Sequence, residues 1–359
     1  MNIVVIGAGY AGTVAANRLQ RKAPDARITV INPRGVFIER VRLHEQLAGS
    51  GTAARPLTEM LRDPIAIETA SVDKIGDGVV TLDDSRSLDF DHAVLAAGSI
   101  ANPLPGTIPV GTWEGAEQAR IALEALPSGG VVTVIGGGLT GIETTAEVAE
   151  ARPDLRVRLV SGTVAAALSA GAQRHIRTTL ARLDVEIVAD QIAEIDGTTL
   201  RLDSGTELRS DLTLWAIISA VPELAARSGL AVDVDGRALV DASLRSVTDP
   251  RVFVVGDCAA VPGMRMACAT AAPQGAHAAD TLARMIKGRE PQPFSMGYGG
   301  QGMSLGRRDG VLQTTDRRDT AQRLYVSGPV AAFTKERISR YAAYASRTGN
   351  SVWINGPKR

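Results

Sequence analysis

Apolar residues along this chain come in short runs separated by glycine turns and amphipathic stretches. Residues 3–6, Ile3-Val4-Val5-Ile6, form a run short enough for a buried strand and too short for a helix. The turn Gly7-Ala8-Gly9-Tyr10-Ala11-Gly12 follows, a helical pattern begins over 14–19, and residues 28–31 supply the next strand. The first forty residues therefore predict a βαβ unit. The same order returns over 131–135, Gly136-Gly137-Gly138-Leu139-Thr140-Gly141, a helix through Ala149, and a strand over 157–160.

A second element repeats as well. Residues 72–78 lead through 79–82 to the turn Asp83-Asp84-Ser85 and end on Asp91-His92-Ala93-Val94-Leu95. Residues 192–197 lead through Leu200 and Leu202 to Asp203-Ser204-Gly205 and end on Asp211-Leu212-Thr213-Leu214-Trp215. Asp-Gly and Ser-Gly steps between alternating strands predict hairpins, because glycine supplies a positive φ. The chain thus holds two copies of one plan, a βαβ unit followed by an antiparallel meander, which is a domain duplication and not a solenoid. One strand breaks the symmetry: Val252-Phe253-Val254-Val255 runs into Gly256-Asp257 and has no counterpart at the end of the second copy. We expect it to return to the first sheet, so that the second domain is inserted in the first. A helix is expected over 270–286, and another over 330–346 in the tail.

Composition narrows the partners. At 359 residues, two domains are the natural expectation. Lys+Arg and Asp+Glu balance at 39 each, which excludes the basic field of a nucleic-acid binder. Cys258 and Cys268 have the spacing of neither a zinc site nor a redox pair, so no metal is expected and a reducing, cytoplasmic setting fits. No run approaches the roughly 18 apolar residues of an integral membrane segment. The N-terminal run reads as a buried strand, not a signal peptide. A homodimer stays open.

A glycine turn between strand and helix has a physical role. The first glycine makes the tight turn, the second lets backbone N–H groups approach a pyrophosphate, and the third lets helix and strand pack closely. The helix N-terminus adds about half a positive charge. Gly7, Gly9 and Gly12, with Tyr10 and Ala11 at the helix start, form one such site; Gly136, Gly138 and Gly141, with Leu139 and Thr140, form the other. The position that usually carries an acid for the ribose is Asn32 in the first copy and Ser161 in the second. Asn32 can still bond a hydroxyl. Ser161 removes the charge that repels a 2′-phosphate without supplying an arginine, so NADH and NADPH both remain open.

The ordered set of Gly7-Ala8-Gly9-Tyr10-Ala11-Gly12, Ala97-Gly98, Gly136-Gly137-Gly138-Leu139-Thr140-Gly141-Ile142-Glu143 and Val255-Gly256-Asp257-Cys258-Ala259 resembles the FAD-dependent pyridine nucleotide-disulfide oxidoreductase superfamily. Within it the chain looks most like soluble relatives of the type II NADH dehydrogenases. The resemblance implies an α/β fold with two Rossmann-like dinucleotide-binding domains of glutathione-reductase type: residues 1–107 and 245–295 for FAD, 108–244 for NADH or NADPH, and a C-terminal region over 296–359. It implies Gly7, Gly9 and Gly12 at the FAD pyrophosphate, Asn32 at the ribose and Val72 at the adenine. Ala97, Gly98 and Arg42 would lie beside the flavin, Gly256 and Asp257 at the ribityl chain, and Pro273 and Gln274 on the helix aimed at the flavin edge. Glu143 would face the nicotinamide; its bland alternative is a carboxylate favoured at a helix start.

Departures from the family shape the functional expectation. The region after the first βαβ, Phe37-Ile38-Glu39-Arg40-Val41-Arg42-Leu43-His44-Glu45, has no cysteine, which excludes a thiol–disulfide relay there. The quinone motif Ala-Gln-x-Ala-x-Gln appears as Ala269-Thr270-Ala271-Ala272-Pro273-Gln274, keeping only the second glutamine. His44 is the candidate general acid, with a structural histidine as the alternative. Lys335, Arg337, Arg340 and Arg347 form either a solvated helix face or a peripheral membrane contact. Ile217 and Ile218 stand where relatives carry small residues, and would crowd a nicotinamide. The expected activity moves a hydride from NAD(P)H to FAD and electrons on to a quinone or another small acceptor. The rivals are a flavin oxidase or monooxygenase and an NAD(P)H sensor without turnover.

Overall fold

The computed structural model describes residues 1–357; Lys358 and Arg359 lie outside the described residues. In chain order, β1 (Asn2–Ile6), α1 (Tyr10–Lys22), β2 (Arg27–Asn32), α2 (Leu43–Ala48), β3 (Ala66–Thr69) and β4 (His92–Leu95) come first. Next are β5 (Ile108–Pro109), β6 (Val131–Ile135), α3 (Leu139–Ala151), β7 (Arg156–Val160), β8 (Glu186–Val188) and β9 (Leu212–Trp215). Then come β10 (Val252–Val254) and α4 (Cys268–Ile286), and finally β11 (Gly300–Ser304), β12 (Gly310–Thr315), β13 (Ala321–Ser327) and α5 (Pro329–Thr348).

Two five-stranded parallel sheets result. The first has the order β10-β4-β1-β2-β3 and the second β5-β9-β6-β7-β8. Parallel sheets are covered on both faces and need continuous apolar strands, which is why Ile3, Val5, Val94, Val132 and Val134 are fully buried. β10 pairs with β4, Phe253 opposite Val94, so the unpartnered strand does return to the first sheet. Each meander is a three-stranded antiparallel sheet, over 72–89 and over 192–209. The expectation that residues 92–95 and 212–215 close the meanders is corrected: both leave the hairpins and enter the parallel sheets.

Two further differences are local. α4 begins at Cys268, two residues before the expected Thr270, and the Thr270 hydroxyl bonds back to the carbonyls of Arg265 and Ala267 at that end. The tail contains a three-stranded antiparallel sheet, β11-β12-β13. The glycines of β11 and the exposed face of β13 give it no alternating apolar signature.

Glycine allows close approach where α1 meets its neighbours. A Cβ on Gly12 would stand 1.9 Å from the Gly7 carbonyl oxygen, and one on Gly275 in α4 would stand 2.1 Å from that of Ala11. The tail is held to α1 by polar contacts. Fully buried Asn17 donates to the carbonyls of Met60 (2.8 Å) and Ser346 (2.7 Å) and accepts from Arg62 N–H (2.9 Å). Arg18 pairs with Asp280 and donates to Gly349. Among the described residues, no helix is long and apolar enough to cross a membrane.

Replacing Asn17 strands two carbonyls and one N–H in the interior. Asn17→Ala is expected to lower unfolding stability by about 3 kcal/mol, read by chemical denaturation of the FAD-loaded protein. A loss under about 0.5 kcal/mol, the range of an ordinary surface change, would deny Asn17 this role.

Candidate active site

The two glycine loops divide their labour in the same way. Gly7 has φ +98°, and a Cβ there would meet the Ala96 carbonyl oxygen at 2.4 Å; Gly136 has φ +123°. Gly12 and Gly141 sit against the carbonyl oxygens of Gly7 and Gly136, with built Cβ atoms at 1.9 and 1.8 Å. Gly9 and Gly138, the extended residues that cap α1 and α3, have nothing within 4 Å of a built Cβ. The middle glycines thus face open space at a helix N-terminus, the feature an incoming phosphate requires.

Beside the first loop lies a cluster of enclosed polar groups. The Ser99 hydroxyl donates to Asp257 Oδ2 at 2.6 Å, and Arg40 Nη1 donates to the Ser99 carbonyl (3.2 Å) and hydroxyl (3.1 Å). Asp257 Oδ1, Arg40 Nη2 and the Tyr10 hydroxyl are enclosed without partners. Such orphans are costly unless a ligand completes them. An acceptor, a cationic donor and a phenol left free beside a phosphate-ready loop fit the polyhydroxyl chain of FAD. Gln274 Oε1, 2 % exposed, accepts from Gly256 N–H at 2.7 Å and so holds the turn that presents Asp257.

A second cluster joins three parts of the chain. Glu143 Oε1, on α3, accepts from Lys335 Nζ of α5 at 2.8 Å, from Ser304 N–H of β11 at 3.0 Å and from the Ser304 hydroxyl at 3.3 Å. His44 Nε2, on α2, lies 3.2 Å from the same hydroxyl. That hydroxyl has one proton, the carboxylate is the stronger acceptor, and this assigns the N–H to His44 Nε2. Burial pushes the Glu143 carboxyl upward, but Lys335, His44 and the donors outweigh it and hold it below the usual range. Burial drives His44 down to about 4, with Glu143 pulling upward and Lys335 downward, so the imidazole is neutral at pH 7. Around this centre Arg42 pairs with Glu45, Glu336 and Glu39, and Arg307 with Glu147 and Glu45.

His44, Ser304 and Lys335 also line a cavity of about 600 Å³ whose wall carries Pro329, Ala332 and Phe333. Phe333 is 68 % exposed.

The residues expected from sequence fall into these clusters unevenly. Ala97, Gly98 (φ +71°) and Gly256 (φ +79°) border the Arg40–Asp257 group. Asn32 braces the loop: its side chain accepts from Ala8 N–H at 3.0 Å and donates to Arg34 O at 2.7 Å, which leaves one N–H and one lone pair. Ser161 donates to the Thr163 carbonyl. Val72 is half-buried at the start of the first meander, and Leu139 and Thr140 open α3. Pro273 lies within α4. Arg42 directs its donors at carboxylates. The reading of Lys335 as solvated or lipid-facing is corrected, because it turns inward to Glu143 while Arg337, Arg340 and Arg347 stay exposed. Sequence reasoning missed Arg40, Ser99 and Ser304, which belong to no motif. Burial raises the thiols of Cys258 and Cys268 to about 11 and 12, so neither is a ready nucleophile. No metal-ligand cluster gathers among the described residues.

The profile of the family described as "Pyridine nucleotide-disulphide oxidoreductase" matches residues 1–281. The chain belongs to this family. It is an FAD-dependent NAD(P)H oxidoreductase, with FAD and NADH or NADPH as its cofactors. Among curated relatives, NADH dehydrogenase-like protein MT1860 of Mycobacterium tuberculosis is 32% identical, covering 72% of both chains. Human ferroptosis suppressor protein 1 is 25% identical over 94% of this chain and 93% of its own. In fold, the family member is similar to the sulfide:quinone oxidoreductase of Aquifex aeolicus, with TM-score 0.81 and 18% identity over 97% of this chain and 92% of that one.

Two outcomes follow from the clusters. Asp257→Ala removes the free acceptor, and FAD affinity is expected to fall at least about tenfold, measured by flavin release on dilution; unchanged retention would count against the Asp257 assignment. His44 has a folded pKa near 4 against about 6.5 unfolded, so between those values the unfolded chain binds the extra proton. Its contribution is present above pH 6.5 and falls by about 3 kcal/mol as pH drops to 4. His44→Gln should flatten that part of the stability profile, and parallel profiles for the two proteins would reject a buried neutral His44.

Proposed function

We propose that the protein passes electrons taken from NAD(P)H to a quinone that enters the cavity beneath Phe333. One observation carries the reading: an apolar wall of Pro329, Ala332 and Phe333 meets the polar groups of His44, Ser304 and Lys335 in one cavity, whose lining also includes Glu45, Arg307, Arg308 and Glu336. A quinone has that pattern in complement, an apolar ring with carbonyl oxygens that collect two protons for two electrons. Lys335 Nζ gives one proton to the Glu143 bond and keeps two for an acceptor. Neutral His44, with its proton on Nε2 toward Ser304, has a bare Nδ1 that can only accept a proton, so the acid on this side is Lys335.

In this reading residues 1–107 and 245–295 hold the flavin, 108–244 the nicotinamide nucleotide, and the segment from 296 onward covers the acceptor side. Gly7, Gly9 and Gly12 receive the FAD pyrophosphate, Asp257, Arg40 and Tyr10 its ribityl chain, and Gly136, Gly138 and Gly141 the donor's pyrophosphate. When bound, FAD supplies the two-electron carrier between donor and acceptor. Glu143 Oε1 holds Lys335 Nζ at 2.8 Å. The Aquifex relative is named for a quinone and the mycobacterial one for NADH dehydrogenation, which adds to the reading without carrying it.

The test is steady-state oxidation of NADH or NADPH with a short-chain quinone, beside anaerobic flavin reduction. Phe333→Asp places a charge on the cavity wall and is expected to raise the quinone KM about tenfold or more while flavin reduction keeps its rate. If the wild type turns over only with O2, or KM does not move, the quinone assignment at this cavity fails.

A further inference from the structure

The duplication provides an internal control on the donor site. Ala96 N–H bonds the Ile6 carbonyl at 2.8 Å and Ala216 N–H bonds that of Ile135 at 3.0 Å. Ala96-Ala97-Gly98-Ser99 after β4 and Ala216-Ile217-Ile218-Ser219 after β9 are therefore structural equivalents. The two segments also lie side by side, since Ile100 and Ala220 form an antiparallel bridge with backbone bonds of 2.8 and 3.3 Å.

The copies differ in bulk at that place. In the first, one methyl group and Gly98 at φ +71° leave the flavin-side cluster open. In the second, both positions are β-branched. Ile217 Cγ1 lies 3.0 Å from a Cβ built on Gly136, the first glycine of the second loop. Ile218 Cδ1 lies 3.0 Å from a Cβ built on Gly111, and the unpartnered Arg40 Nη2 lies 3.9 Å from the same point. One isoleucine thus borders the second glycine loop, and the next borders the flavin-side cluster. A donor whose pyrophosphate sits on the second loop must bring its nicotinamide ring between those two places. Ile217 remains 37 % exposed, so core filling does not account for it.

We propose that Ile217 and Ile218 form a steric gate at the nicotinamide end of the donor site, which the ring displaces before it reaches the flavin. The inference rests on reading Gly136, Gly138 and Gly141 as the donor's pyrophosphate loop. The penalty falls on the nicotinamide half of the donor; the ADP half binds without meeting the gate. β-Branched side chains are stiff at χ1, so the ring cannot pass by a small rotation and a rotamer change is required.

Because the penalty is confined to one half, ADP-ribose and NADH separate it. FAD-loaded wild type, Ile217→Ala and Ile217→Phe would be titrated with ADP-ribose by calorimetry and with NADH anaerobically, following flavin bleaching. Their visible spectra serve as the check on folding. The expected result is equal ADP-ribose affinity in all three. NADH binding would be about tenfold tighter in Ile217→Ala and weaker in Ile217→Phe. ADP-ribose binding with no change in NADH affinity would overturn the gate and leave the donor site standing. Failure of ADP-ribose to bind any of the three would overturn the gate and the donor-loop reading together.

Discussion

A carboxylate and an ammonium meet at 2.8 Å in the interior, Glu143 with Lys335, where α2, α3, β11 and α5 come together. Taking both charges out of water is expensive, and the pair is tolerated because Ser304 satisfies the same carboxylate oxygen twice more. Removing either member would leave the other uncompensated. The contact therefore acts less as a source of stability than as a requirement on position, since the tail can seat in only one register against the two sheets. Arg42 and Arg307, each shared among several carboxylates, extend that requirement outward.

The fold was legible because backbone demands leave marks in sequence. A phosphate-ready turn needs glycine at fixed spacing, and a strand buried on both faces needs an apolar run, so both βαβ units, the duplication and the return of Val252–Val254 to the first sheet could be read. The clusters around the cofactors were legible only where they coincide with such turns, as at Asp257. Arg40, Ser99, Ser304 and Lys335 come from four separate stretches, and what unites them is tertiary packing. Lys335 shows the difficulty best: on a helix with Arg337, Arg340 and Arg347 it looks like one more solvated base, and only the sheet beneath α5 reveals that it points inward. The tail sheet escaped for a similar reason, since an exposed strand such as β13 owes its existence to a neighbour and not to its own pattern.

The two polar clusters are prepared in opposite ways. Near Asp257 the protein leaves donors and acceptors unmatched, so that binding a polar chain completes them. Around Glu143 nearly every polar atom already has a partner, and the open feature is the cavity beside it. The first arrangement favours retention of a resident group; the second favours a visitor that makes few demands and leaves readily.

The bridge between Ile100 and Ala220 has a mechanical meaning. The segments that leave the two sheets are stitched to each other by a pair of backbone hydrogen bonds running crosswise between them. Sliding one half along the other would stretch both bonds beyond useful length, whereas twisting about the line joining them changes their geometry little. The pair therefore resists shear between the halves, alongside the packing of Leu43 and Leu47 into the second domain's core.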